Sequence, residues 1–316
     1  MKAFGLADEG ASAAVIEVPT PEPGPGEVRI GVRASSVNGY DVFVASGMAR
    51  GMMEHRYPVI VGKDFAGMID SVGDGVTRFA VGDAVAGITP FEPHVSTGSF
   101  AEYVVVPAEG FIGPKPEKLT FEQAASVGLA AVTALVAVDA VEASNGDLVL
   151  IVGATGGVGN YAVQLAARRG STVIATGLPE DDGWIRGLGA SEVVDYSGDI
   201  PAVVREKLPE GVDALIVAVP LGEQFGPTAE LVKDGGKIAS AVGGADAEAF
   251  ASRKIDAANV LGQADPGPYA EVLRMAADGS ITVPITQTFT FDELSEALGL
   301  VGKRRSRGKV AVTIAR

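Results

Sequence analysis

Residues Val149 to Gly177 read VLIVGATGGVGNYAVQLAARRGSTVIATG: an apolar run, a glycine-rich turn, a helix-like stretch and a second apolar run. No other part of the chain restricts the fold as tightly. Asp147 to Val152 supplies a strand and Gly153 to Gly159 the turn, while Val158, Ala162, Leu165 and Ala166 form an apolar stripe at helical spacing. Lacking side chains, Gly156 and Gly157 let the backbone approach a pyrophosphate, and Gly159 lets the helix lie close on the strand with its N-terminus toward the anion. Aligned from its end, the turn reads A-x-G-x-x-G on Ala154, Gly156 and Gly159, with Thr155 and Val158 between them. A glycine-rich turn without a ligand is the alternative, but strand, turn, helix and strand in succession favour a dinucleotide site.

The rest of the chain extends this pattern. From Leu119 to about residue 280, strand-like and helix-like pieces alternate: LVLIVG, STVIAT, EVVDY, DALIVAV and KIASAVG are separated by helical stretches. Alternation of this kind, with a helix around FGPTAELVKDG among the separating stretches, predicts parallel strands joined by crossover helices, a doubly wound sheet. The helix that opens this section, in LTFEQAASVGLAAVTALVAVDAV, has a cap at Thr120 followed by Glu122 and Gln123. Before it, short β-like pieces punctuated by Gly, Pro and Asp suit an irregular barrel. After residue 280, ITVPITQTFTF, FDELSEALGLV and KVAVTIA form too small a unit to stand alone and are expected to pack on the first. The predicted fold is thus α/β with two domains, one spanning 1–120 and 281–316, the other 121–280.

Composition narrows the function. A net charge of -15 argues against nucleic acid or an anionic membrane as partner. With no cysteine and only His55 and His94 as imidazoles, thiolate nucleophiles, disulfides and thiolate-bound zinc are excluded. The N-terminus MKAFGLADEG lacks the features of a signal peptide, and no uninterrupted apolar run has the length of a membrane span, so a cytoplasmic protein is expected.

Several segments resemble the zinc-independent medium-chain dehydrogenase/reductase superfamily, close to its quinone oxidoreductase and zeta-crystallin-like branch. ASSVNGYDVFVASG resembles the family's V-N-x-x-D segment, VGKDFAGMIDSVGDGVTRFAVGDAVAG its G-x-D-F-A-G…V-G-D-x-V block, and TGSFAEYVVVP its G-x-F-A-E-Y strand. GATGGVGNYAVQLA, LGASEVVDY and RGKVAVTI match later landmarks. The resemblance implies a GroES-like β-barrel substrate domain built from both termini around a Rossmann domain, with the active site in the cleft between them. It also implies a homodimer formed by edge pairing of Rossmann sheets, for which KIDAANVLGQA, Lys254 to Ala264, is a suitable edge strand. Where zinc-dependent relatives place their catalytic ligands, this chain has Asn38, Lys63 and Leu129, so no zinc is expected.

The same comparison bears on the cofactor. At the end of the second strand an NAD-preferring site carries an acid, whereas this chain has Gly177, which leaves room for a 2′-phosphate. The family completes phosphate recognition with a lysine, a tyrosine and an arginine; Tyr196 and Arg304 match the last two, while Asp181 stands at the lysine position. Val219 and Val242, closing DALIVAV and starting the end of KIASAVG, complete the implied cofactor contacts. NADPH is the expected cofactor, with NADH as the alternative and affinity reduced by the carboxylates of Glu180, Asp181 and Asp182 unless these face solvent.

Without a metal the hydride must go to an acceptor that is already electrophilic, a quinone or an enone. Asn38, Tyr40 and Asp41 lie in the segment matching the family's active-site strand and helix start. Asn38 reads either as a donor to an acceptor oxygen or as a turn asparagine; Asp41 reads first as a helix cap or structural acceptor. Tyr40 and Tyr57 are the candidate proton donors of an enoyl reductase. Lys63 could pair with Asp64 or Asp41 or set a positive charge beside the acceptor, and His94 could line the pocket. The leading expectation is an NADPH:quinone reductase; the others are an enone or enoyl-thioester reductase and a non-catalytic NADPH-binding sensor or structural protein.

Overall fold

The computed structural model describes residues 1–92, 94–260, 266–304 and 306–314. They fall into two compact units, Met1–Leu129 with Asp265–Arg316, and Ala130–Ala264.

The first unit is organised by one long strand, Glu27–Val37, almost all of whose residues are buried. Asp64–Val72 pairs antiparallel along one edge; Tyr103–Pro107 and Lys309–Thr313 share the other. The full sheet runs Ile112–Pro114, Ala84–Ile88, Asp64–Val72, Glu27–Val37, Lys309–Thr313, Ile285–Thr290, a strongly curved, mostly antiparallel GroES-like arrangement. The chain's end therefore returns to its beginning, in the register Val310 opposite Val37 and Ala311 opposite Ser36. Val28, Ile30, Val32, Phe65, Ile69, Phe100 and Val312 fill the core. The helix Pro266–Ala277, placed with the nucleotide domain by its position in the sequence, belongs here: ideal side-chain growth at Gly113 would meet Leu273 and Tyr269.

The second unit holds six parallel strands in the order Glu192–Asp195, Thr172–Gly177, Leu148–Val152, Val212–Val217, Val232–Ser240, Asp256–Asn259. Numbered along the chain this is 3-2-1-4-5-6, the Rossmann order, whose ligands bind beyond the carboxyl ends of the strands. The expected helix over FGPTAELVKDG is shorter, Phe225–Ala229, because Val232 already pairs with Val212 and Gly235, at φ 80°, turns the chain. Of the expected edge strand from Lys254 to Ala264, Asp256–Asn259 is observed, and 261–264 lie outside the described residues.

The helix Phe121–Ala140 begins as expected: Thr120 Oγ1 accepts from Gln123 N at 3.1 Å and Gln123 Oε1 accepts from Thr120 N at 2.9 Å. It breaks at Gly128 (φ -35°, ψ -120°). By length and hydropathy it alone among the described helices could cross a membrane, correcting the reading that no such segment exists, but 78% of its apolar window is buried inside the protein.

Gly159 is demanded by close approach, since a Cβ there would lie 2.1 Å from the Gly153 carbonyl oxygen. We expect Gly159→Ala to destabilise by about 1–3 kcal/mol through overpacking. Gly183→Ala, where a Cβ meets nothing within 4 Å in the helix Asp182–Gly187, should be neutral or stabilise by up to about 1 kcal/mol. Urea unfolding midpoints check both.

Candidate functional site

Two groups of residues stand out, one in each unit. In the second unit, the turn after Leu148–Val152 is anchored by Gly153 N, which donates to the buried Thr176 Oγ1 at 3.0 Å. Gly153 has φ 91°, and a Cβ on it would strike Val219 Cγ1 at 2.7 Å, so Val219 packs directly on the turn. Ala154 and Gly159 are buried, whereas Thr155, Gly156, Gly157 and Val158 form a half-exposed rim. The helix Gly157–Arg168 starts at Gly156 with no side chain capping it, leaving the first N–H groups available to an anion. At the neighbouring strand ends sit Gly177, Tyr196 (42% exposed) and Val242 (40% exposed). These residues suit a dinucleotide.

Two sequence expectations change here. A Cβ on Gly177 would lie 2.2 Å from Ile185 Cδ1, so a side chain there would first have to displace the buried end of Ile185 in the helix Asp182–Gly187. Asp181 is turned inward, 3% exposed, with its Oδ2 3.4 Å from Leu178 N in the turn Pro179–Asp181. Glu180 is exposed and Asp182 pairs with Arg186 at 2.9 Å. Substituting Asp181 would therefore perturb the turn's packing before it tested cofactor choice. Arg304 lies in the first unit, exposed on the turn after the helix Leu294–Gly302, in the left-handed region at φ 54°.

In the first unit, Asp64 is the centre of a buried polar network. Its Oδ2 accepts from Ser36 Oγ at 2.5 Å and Asn38 Nδ2 at 2.8 Å, and lies 3.4 Å from Lys309 Nζ; its Oδ1 accepts from Leu129 N at 2.7 Å. The last bond uses the N–H released by the break at Gly128, where a Cβ would fall 2.2 Å from Asp64 Oδ1. Lys309 Nζ also donates to Asn38 Oδ1 at 2.7 Å and the Val37 carbonyl at 3.2 Å. Ser36, Asp64 and Lys309 are at most 1% exposed. Removing one partner of such a pair strands a buried charge, at a cost of about 3–5 kcal/mol.

Asp41 adjoins this network. As residue N3 of the helix Gly39–Ala45, its Oδ2 accepts from Asn38 N at 2.8 Å, while buried Oδ1 has no hydrogen-bond partner among the described residues. Burial, reinforced by the charge of Asp64, pushes its carboxyl up to about 7. Asp41 also lines a small hollow of about 10 Å³ together with Tyr40, Lys63 and His94. Lys63 pairs with neither carboxylate at close range as the sequence allowed; it donates to the Pro90 carbonyl at 2.7 Å and sits 4.1 Å from the Phe91 ring centroid and 5.3 Å from that of Tyr40. Burial brings its ammonium down to about 8, against the opposing pull of Asp41. Tyr40 is half-buried, its hydroxyl donating only weakly to Met53 Sδ at 3.9 Å, and its pKa is raised by burial and then by Asp41. His94 Nε2 meets Glu92 at 3.0 Å.

The structure thus gathers Tyr40, Asp41 and Lys63 around one hollow and ties Asn38 to Asp64 and Lys309. Tyr57 stays apart, tilted against His55 at 5.9 Å and packed on the barrel core. Lys309, Ser36 and the central part of Asp64 were missed in the sequence. The available signal was ionic residues opening apolar strands, Lys63-Asp64 before FAGMI and Lys309 before VAVTI. Asn38, Lys63 and Leu129, which the family resemblance sets at the zinc-ligand positions, do not make a zinc donor set. Asn38 offers its oxygen to an ammonium, Lys63 is itself a cation, and Leu129 contributes only an N–H.

Residues 24–117 match the alcohol dehydrogenase GroES-like domain family and 188–312 the zinc-binding dehydrogenase family. The solved quinone oxidoreductase from Coxiella burnetii superposes with a TM-score of 0.89 and 28% identity, over 100% of this chain and 99% of that one. A chloroplast envelope quinone oxidoreductase homolog of Arabidopsis thaliana is 32% identical over 64% of this chain and 62% of its own length. A polyketide synthase of Streptomyces halstedii is 33% identical over 92% of this chain, which spans 5% of that protein.

A raised carboxyl pKa means the folded state holds its proton more tightly than the unfolded chain. The stability Asp41 contributes is therefore present near pH 4 and is lost as pH rises to about 7. Relative to Asp41→Asn, which keeps an acceptor for Asn38 N without the titration, the wild type should lose stability between those pH values. Parallel urea melts at about pH 4.5 and about pH 7.5, the two ends of that window, check the sign.

Proposed function

The chain belongs to the medium-chain dehydrogenase/reductase superfamily, in its quinone oxidoreductase branch, and from that premise we propose that it is an NADPH-dependent reductase of quinones. The observation that carries the proposal is the occupation of the zinc-ligand positions by Asn38, Lys63 and Leu129, with Lys309 against Asn38. Such a site offers cations and hydrogen-bond donors where a Lewis acid would stand, which suits an acceptor that is electrophilic before it binds.

Bound NADPH supplies the hydride. Gly153 to Gly159 and the uncapped start of Gly157–Arg168 hold its pyrophosphate, with Ala154, Thr155 and Val158 in the same turn. Val219 and Val242 border the strand ends, and by the family resemblance Tyr196 and Arg304 are each assigned to the 2′-phosphate. Asn38 donates to the acceptor oxygen as negative charge grows there, while Asp41 and Lys63, both shifted toward neutral pH, hold protons close by.

A second reading, reduction of an enone or enoyl thioester, is favoured by the polyketide synthase match over 92% of the chain. The two differ at carbon: alkene reduction needs a proton delivered to a carbanion, and Tyr40, whose hydroxyl has only a thioether partner among the described residues, is the donor in that case.

The purified protein should bind NADPH more tightly than NADH and turn over a quinone panel faster than enones or enoyl-CoA. Oxidation of NADPH by no acceptor would sink the reductase proposal in favour of a binding protein. Tyr40→Phe should leave quinone reduction near wild type; a loss of about a hundredfold with an enone would support the second reading. Arg304→Gln should raise the Kd for NADPH about tenfold, with NADH unaffected, as expected for one lost charge-assisted hydrogen bond. Fluorescence titration of both cofactors reads this directly.

A further inference from the structure

We infer that Lys309 and Asp64 are positioning residues that fix the orientation of the Asn38 carboxamide for the acceptor, an inference that rests on the reductase reading above. A carboxamide can be turned over with little change of shape, exchanging a donor end for an acceptor end. Here its chemistry settles which way it lies. An ammonium has only hydrogens to give, so the atom 2.7 Å from Lys309 Nζ is the oxygen; a carboxylate oxygen accepts, so the atom 2.8 Å from Asp64 Oδ2 is the nitrogen. Turning the amide over would put N–H against N–H at Lys309 and oxygen against oxygen at Asp64.

One hydrogen of Nδ2 is thereby used on Asp64; the second has no partner among the described residues and is the one proposed to meet the acceptor. The ammonium on Oδ1 also draws electron density from the amide, which strengthens the remaining N–H as a donor. Asn38 is held in place from its backbone as well, through the bond from Asn38 N to Asp41 Oδ2. The device depends on fold rather than sequence proximity. Lys309 reaches Asn38 only because the last strand pairs with Glu27–Val37 in the register that sets Val310 opposite Val37. Lys309 and Asp64 are buried and act through Asn38.

The test is a cycle of Asn38→Ala, Lys309→Met and the double variant, assayed with NADPH and 1,4-benzoquinone. Asn38→Ala should lower kcat about a hundredfold. Lys309→Met should lower it comparably, leave the KM for NADPH within about twofold, and add nothing on top of Asn38→Ala. Lys309→Met combined with Asp64→Asn removes both charges and serves where Lys309→Met alone does not fold. A folded Lys309 variant with wild-type kcat, or effects that multiply in the double variant, would overturn the inference. A readout independent of turnover is the side-chain amide signal of Asn38 in nitrogen–proton correlation spectra, identified by its loss in Asn38→Ala. It should be well dispersed in the wild type and collapse toward the ordinary side-chain amide region in the Lys309 variants. An unmoved signal refutes the positioning role even if the wild type reduces no acceptor, an outcome that would separately refute the reductase reading.

Discussion

The Asp64 carboxylate is the interaction on which the first unit's site depends. Fully buried, it would be prohibitively costly without partners, and its donors come from distant parts of the chain: Ser36 and Asn38 from the end of the long strand, Leu129 N from the helix break, and Lys309 from the last strand. A single charge therefore demands that these segments arrive together. It also explains the non-helical Gly128 within Phe121–Ala140. The break frees an N–H that the carboxylate takes, and any side chain at 128 would collide with the same oxygen. Polar satisfaction and helix geometry are one constraint here.

That constraint sets the electrostatics of the neighbouring hollow. Asp64 is ion-paired with Lys309, so its charge is answered on the Asn38 side, while Asp41 and Lys63 receive less compensation. Burial consequently moves one up to about 7 and the other down to about 8. Two groups of opposite type brought near neutrality, together with a half-buried tyrosine, form the kind of arrangement in which proton transfer at neutral pH is easiest. Lys63 is tolerated in this place by the Pro90 carbonyl and the faces of Phe91 and Tyr40, contacts that solvate an ammonium without binding its charge to one carboxylate.

Much of the second unit was legible because its signals are local. Strand, glycine turn and helix each follow from residues within a few positions, and the crossover rule turns their alternation into a parallel sheet. The error at FGPTAELVKDG arose where tertiary pairing of Val232 with Val212 overrode a helical composition. In the first unit, Tyr40, Asp41 and Lys63 were nominated by resemblance, but their grouping was not visible. It depends on residues 60–63, 90, 92 and 94–97 meeting the start of the helix Gly39–Ala45. Lys309 was beyond reach for the same reason. Its meaning comes from a strand register spanning most of the chain, and a lysine before VAVTI reads equally well as a solvated strand end.

Gly177 has a packing role that the sequence alone does not show. In sequence, the missing acid reads as an allowance for phosphate; in the fold, Ile185 occupies the space into which any side chain would grow. A glycine that also serves packing against Ile185 has a reason to be there that is independent of a 2′-phosphate. Asp181 is removed from the choice as well, since its side chain faces inward. On the proposed reading, discrimination must come from side chains that remain exposed and able to meet a phosphate. Tyr196 and Arg304 are both exposed, and on that proposal each is a candidate to meet the phosphate.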